Sequence, residues 1–171
     1  MFVNFEKVSI SQITCHATSS CIIDGKFTDV KMSNSDIQEI STNTELMTFT
    51  LCNKIQMLNV QMLKAKNLDE NNPKETLYAI YANRITNMTI QRSFFLELDF
   101  FFIKGKASNV TIMGTIFTNH EQERFLASQA QSKKTKFIVF NDSNSWMLGN
   151  LFLGNLTNNK GNGGVRILVD I

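Results

Sequence analysis

Apolar and polar residues alternate along this chain in short runs, and the runs return with the same internal layout. Val8-Ser9-Ile10, Val30-Lys31-Met32, Ile55-Gln56-Met57, Met88-Thr89-Ile90 and Val110-Thr111-Ile112 each set apolar residues on either side of a polar one. Alternation with period two predicts a strand with one buried face, because successive side chains point to opposite faces. A helix would need apolar residues at intervals of three and four. With Val8, Val30, Ile55, Met88 and Val110 as origins, further apolar columns stand at fixed offsets. Three residues before lie Phe5, Phe27, Cys52, Ile85 and Ala107; seven after lie Cys15, Ile37, Met62, Phe95 and Phe117. The residues just before each origin, Lys7, Asp29, Lys54, Asn87 and Asn109, are polar and belong on the outer face.

The spacing carries the next step. Val8 to Val30 is 22 residues and Ile55 to Met88 is 33 residues, and self-similarity at such periods marks solenoids. Hairpins would need much shorter connections, and within residues 3 to 120 only Asp24-Gly25 has hairpin-turn composition. A chain that coils once per repeat lays each strand parallel to its predecessor, about 4.8 Å away, so like residues form continuous interior columns. One repeat alone buries too few side chains to offset its ordering entropy, and the repeats must support one another.

The segments Asn109-Val-Thr-Ile-Met-Gly-Thr-Ile-Phe-Thr-Asn119 and Asp29-Val-Lys-Met-Ser-Asn-Ser-Asp-Ile37 resemble coils of right-handed parallel β-helix proteins, the pectin-lyase-like group. The resemblance is clear over residues 3 to about 120 and loose over 136 to 171. It implies an all-β fold, a right-handed parallel β-helix of about six to seven coils. Each coil would have three short strands joined by turns, some holding stacked Asn, Ser or Thr, with function placed in loops and surface grooves. The competing solenoid is the leucine-rich repeat, whose apolar offsets are the same but whose Asn position is occupied here by Ile13, Ser35, Val60, Ser93 and Thr115. Met47 to Leu51 and Ile22 to Phe27 read as further strands, where that repeat would have a helical arc.

At 171 residues the chain reads as one domain, residues 1-171. Excursions from the repeat are expected near 64-76, which holds the only Pro, and near 120-136, where a short helix is an option. Neither end has a polar cap, so the expectation is a segment of a longer protein, or a subunit whose ends stack on its neighbours. A formal net charge of +2 is too mild to imply nucleic acid. No 18-residue apolar span is present; Phe94 to Ile103 is the most apolar stretch and contains Glu97 and Asp99. Asn, Lys, Ile and Phe total 62 residues, a bias of AT-rich genomes such as those of ciliates and other protists.

Candidate chemistry is dispersed. Asp24, Asp29, Asp36, Asp99 and Asp142 fall in different columns, giving no carboxylate pair to divide acid and base roles. Cys15, Cys21 and His16 lack the spacing of a zinc site, and Cys15 and Cys52 read as small core hydrophobes. Three cysteines make no disulfide framework, and Cys21 and Cys52 are out of register. Sequons start at Asn87, Asn109, Asn141 and Asn155; Asn87 and Asn109 share an outward column and would form an amide ladder or carry glycans. Lys26, Arg84 and Lys106, interrupted by Leu51, read as a basic stripe, open to an anionic glycan. The expected function is a non-enzymatic structural or adhesin-like β-solenoid, extracellular or at the cell surface, with end stacking on itself or on further coils. The alternatives are a carbohydrate-binding or carbohydrate-cleaving β-helix and an intracellular protein-interaction solenoid. No catalytic, cofactor or metal residue is assigned, and no membrane span or nucleic-acid partner is expected.

Overall fold

A computed structural model describes residues 1–16, 19–68, 77–98, 101–119, 138–141, 144–153 and 167–169. They form fourteen strands and, among the described residues, no helix. The strands are β1 (Phe2–Glu6), β2 (Ser9–Cys15), β3 (Ser20–Lys26), β4 (Asp29–Thr42), β5 (Glu45–Thr50), β6 (Lys54–Asn67) and β7 (Tyr78–Gln91). There follow β8 (Phe94–Leu98), β9 (Phe101–Met113), β10 (Ile116–Asn119), β11 (Ile138–Asn141), β12 (Asn144–Leu148), β13 (Leu151–Leu153) and β14 (Ile167–Val169). All belong to one sheet, and every pairing in it is parallel.

The interior columns follow from the register. Val30 lies opposite Ile55, Ile55 opposite Met88, and Met88 opposite Val110. Met32, Met57, Ile90 and Ile112 align beside them, and Ile37, Met62, Phe95 and Phe117 align as a third row. All twelve are buried, as are Cys52, Ile85 and Ala107. Phe95 stacks on Phe117 at 5.2 Å between centroids with 15° between planes, and Phe102 closes on Phe117 at 4.8 Å, within the range of favourable aromatic pairs.

The long strands bend, and their bends have one cause. One edge of β4 pairs β1 through Asp29–Ser33 and β2 through Asp36–Thr42, while its other edge pairs β6 throughout. Between the two halves sits Asn34 with φ 50°. Lys7, Asn59, Arg92, Gly114 and Gly149 hold the same left-handed conformation at the corresponding point of other repeats. A second set, Gln12, Glu39, Lys64 and Glu97, and a third, Phe27, Leu51 and Arg84, do likewise. One left-handed residue redirects an extended chain without a loop, at a cost of about 1–2 kcal/mol for a non-glycine residue. Asn tolerates it through its short polar side chain, and Gly through lacking Cβ.

Two of the columns read from sequence are corrected. Phe27 is 63% exposed. It occupies a left-handed corner with Leu51 and Arg84, its amide bonding to Thr50 O as that of Leu51 bonds to Asn83 O. The side chain of a corner residue turns outward, so Phe27 does not continue the Cys52 column. In the first repeat the origin is Val3, opposite Val30, and Phe5 lies opposite Met32. Ile10 lies opposite Ile37 and Cys15 opposite Thr42. Val8 belongs to the Ser35 position, its N–H donating to Ser35 Oγ. The layout Val3-x-Phe5 recurs as Val8-x-Ile10 five residues on, across the Lys7 corner, and alternation alone cannot tell the two apart. Phe5, Val8 and Ile10 are half-buried, since β1, β2 and β3 pair on one side only among the described residues.

Other expectations fall as follows. Asp24-Gly25 is inside β3, where Gly25 packs against Phe49, and makes no turn. Lys64 to Asn67 stay in β6, so the first excursion starts later than residue 64. The remainder of 64-76 from residue 69, and all of 120-136, lie outside the described residues. The second halves of the repeats are strands, β3, β5, β7 and β9, not helical arcs.

Candidate functional site

The outer face formed by β1, β6, β12 and the neighbouring parts of β4, β7 and β9 holds the most regular polar array. Asp29, Lys54, Asn87, Asn109 and Asn144 follow one another in register. Asn109 Nδ2 donates to Asn87 Oδ1 at 3.1 Å and to Thr86 O at 3.5 Å. This is an amide ladder: parallel strands place like side chains one strand spacing apart, within reach of an amide hydrogen bond. Asp29 Oδ1 accepts from the backbone N–H groups of Asn53 and Lys54 at 2.8 and 2.9 Å, which ties the acidic end of the column to the next strand. Beside it runs a second outer column, Lys31, Gln56, Thr89, Thr111 and Trp146. Trp146 is 63% exposed and Leu148, on the same face, 54%.

Of the sequons, Asn87 and Asn109 are joined by that ladder. A glycan on Asn109 would replace a hydrogen of the Nδ2 that donates to Asn87 and Thr86. Asn141 is in β11, opposite Lys106, and Asn155 lies outside the described residues.

A second amide rung, between Asn59 Nδ2 and Asn34 Oδ1 at 3.0 Å, was not anticipated. Its signal is present in the sequence, since Asn34 and Asn59 both stand four residues after an origin and Gly114 does too. A line of hydroxyls runs inside the same corner, of the kind the resemblance implies for turns. Ser35 Oγ donates to Ser33 O at 2.8 Å and accepts from Val8 N–H at 3.1 Å. Ser93 Oγ repeats this with Gln91 O at 2.9 Å and Val60 N–H at 3.2 Å. Asn150 does it by amide, accepting from Thr115 N–H at 3.0 Å and donating to Ile112 O at 2.8 Å. The corner opens the backbone ladder, and these groups satisfy N–H donors that would otherwise be buried unpaired. They occupy the positions that distinguish this chain from the leucine-rich repeat.

The basic stripe does not form. Lys26 lies opposite Thr50, Thr50 opposite Asn83, and Asn83 opposite Lys106, whereas Arg84 is at the corner beside that column. Lys26 and Lys106 are three strand spacings apart, about 14 Å, beyond the Debye length of about 8 Å at physiological salt. Lys26 Nζ instead sits over the Phe27 ring at 5.5 Å, and Lys104 Nζ over Tyr78 at 5.4 Å.

The acidic residues keep to separate places. Asp36 accepts from Ser9 Oγ at 2.8 Å, Asp24 is opposite Thr48, and Asp99 and Asp142 lie outside the described residues. No group of three or more His, Cys, Asp or Glu able to hold a metal occurs among the described residues. No helix among them is long and apolar enough to cross a membrane. Cys52 is buried, its thiol directed to Thr50 O at 3.5 Å and Gly25 O at 3.7 Å, and burial raises its pKa. Among the described residues the arrangement offers repeated neutral hydrogen-bonding groups and an exposed indole. No known protein family, curated protein or solved structure matches the chain.

Proposed function

We propose that the chain is a right-handed parallel β-helix of about six to seven coils that serves as a non-enzymatic structural or adhesin-like module, extracellular or at the cell surface. The observation that carries this reading is the pairing of β1, β2 and β3 on one side only among the described residues, with Phe5, Val8 and Ile10 left half-buried. An apolar parallel edge of this kind is a template for further strands, and the unbroken interior columns set the register in which a neighbouring coil would add. The partner is a further coil of the same kind, contributed by a second copy. Right-handed coiling is the sense that parallel crossover connections take in nearly all proteins. Imaging and sedimentation of the purified chain test the reading. Rods or fibres that lengthen with concentration support it; compact monomers that cleave glycans would overturn it.

One observation favours a second reading, a carbohydrate-binding β-helix. Trp146 projects from the outer face in line with Thr111, Thr89 and Gln56, beside the Asn87–Asn109 ladder. An exposed ring flanked by uncharged hydrogen-bonding groups suits a neutral saccharide, whose C–H faces stack on aromatics. Calorimetric titration with neutral oligosaccharides distinguishes the two: saturable binding that is lost in Trp146→Ala favours glycan binding.

A further inference from the structure

The row of strands that starts at β1 runs through β4, β6, β7 and β9 to β12. Val3 and Phe5 begin its two inward columns, and Ser145 and Met147 end them; all four are half-buried. Among the described residues β1 and β12 each pair on one side only. The large apolar side chains left exposed gather at these two edges, with Met1, Phe2, Ile13 and Phe27 about the first and Trp146 and Leu148 on the second, against Leu68 elsewhere. Residues 144–153 carry no charge and no Pro, the usual guards of an open edge.

Backbone bonds between successive repeats follow a rule at the corner after this row. The corner amide donates to the carbonyl just before the corner of the next repeat: Lys7 N–H to Ser33 O at 3.1 Å, Arg92 N–H to Met113 O and Gly114 N–H to Leu148 O, both at 3.0 Å. Two residues past a corner, the amide donates back to the repeat before: Asp36 N–H to Val8 O at 3.0 Å and Ile116 N–H to Ser93 O at 2.9 Å. Gly149, with φ 62°, is the next corner in the series.

We propose that copies of the chain join head to tail, the β12 edge of one pairing in parallel with the β1 edge of the next, Asn144 opposite Phe2 and Met147 opposite Phe5. Resting on the stacking reading above, this join fixes which edges meet. Every pairing within the sheet is parallel, and an edge meeting its own kind would run antiparallel, so only unlike edges continue the pattern. Gly149 N–H then donates to Glu6 O of the next copy, and Ser9 N–H of that copy to Asn150 O. Trp146 reaches Phe2 of the next copy across the outer face, as diagonal neighbours about 8 Å apart at the backbone. A join of unlike surfaces along one axis does not close, so it grows a polar filament.

Sedimentation of blocked variants tests the polarity. Val8→Lys puts an ammonium on the edge of β1 and β2, and Ser145→Lys puts one on the edge of β12. Wild type should grow with concentration, each variant alone should stay a monomer, and an equal mixture should form a dimer that grows no further. A dimer of either variant by itself, or a mixture that stays monomeric while wild type assembles, would overturn the head-to-tail join and leave stacking intact. Wild type that stays monomeric at every concentration overturns stacking itself. Circular dichroism confirms that both variants are folded. A second pair of variants reads the register directly: strand neighbours about 4.8 Å apart are within disulfide range, so Phe2→Cys mixed with Asn144→Cys under mild oxidation should cross-link through the two introduced thiols. Assembled material without that cross-link opposes the join.

Discussion

The residues that decide this fold are those at its corners, and their chemistry differs from that of the faces. Asn34 and Asn59 occupy left-handed positions and also bond to each other at 3.0 Å. Asn59→Val would lose that bond and place a β-branched residue at φ 55°, costing about 1–2 kcal/mol, while Asn59→Gly should be near neutral; urea midpoints measure both. Gly105 is needed for space and not for φ. A Cβ there would collide with the Ala82 carbonyl oxygen, so Gly105→Ala should cost about 1–3 kcal/mol of overpacking strain. Burial separates two phenylalanines that composition treats alike. Phe49, fully buried, should lose about 3–5 kcal/mol on truncation to Ala. Phe27, exposed at its corner, should change stability by less than about 1 kcal/mol on the same substitution.

At the scale of the strand, parallel pairing satisfies backbone groups along the faces, and single hydroxyls or amides satisfy them where the strand turns. Ser93→Ala would leave Val60 N–H buried without its acceptor, a loss of about 1–3 kcal/mol. Faster hydrogen exchange at the Val60 amide, with β6 otherwise protected, identifies the cause. Titration should act on the same elements in one direction. Cys21 at the start of β3 is raised from 9.0 to about 12, and burial also raises Cys52 and Tyr78. Each holds its proton more tightly folded than unfolded, so its contribution is complete below the unfolded pKa and is lost as pH climbs through the folded one. Thermal midpoints should therefore fall progressively above about pH 9, and Cys21→Ser should flatten part of that fall.

At the scale of the molecule, the repeats exchange most of their contacts with immediate neighbours. β4 is held by β1 and β2 on one edge and by β6 on the other. Such arrays unfold by a sum of nearest-neighbour terms, and the repeat with one neighbour should open first. Hydrogen exchange is expected to protect the amides of β6 and β7 best and those of β1 and β2 least. The proposed stacking through that edge should respond to charge. Val8→Lys puts an ammonium on the half-buried end face, and loss of concentration-dependent assembly at unchanged circular dichroism is the expected outcome.

The amino-acid sequence determined the strands, their parallel repeat and most of the interior rows, because one buried face imposes alternation and the recurring spacing imposes its return. The Asn87–Asn109 ladder was legible for the same reason, both residues holding one offset from their origins. Two features were settled only by tertiary structure: the sliding of the first repeat by five residues and the outward turn of Phe27. Each depends on a single left-handed residue or a strand join, which rotates the chain without changing the hydrophobic pattern. A period-two code records which side of a strand is dry; it carries no record of how far the next strand has turned.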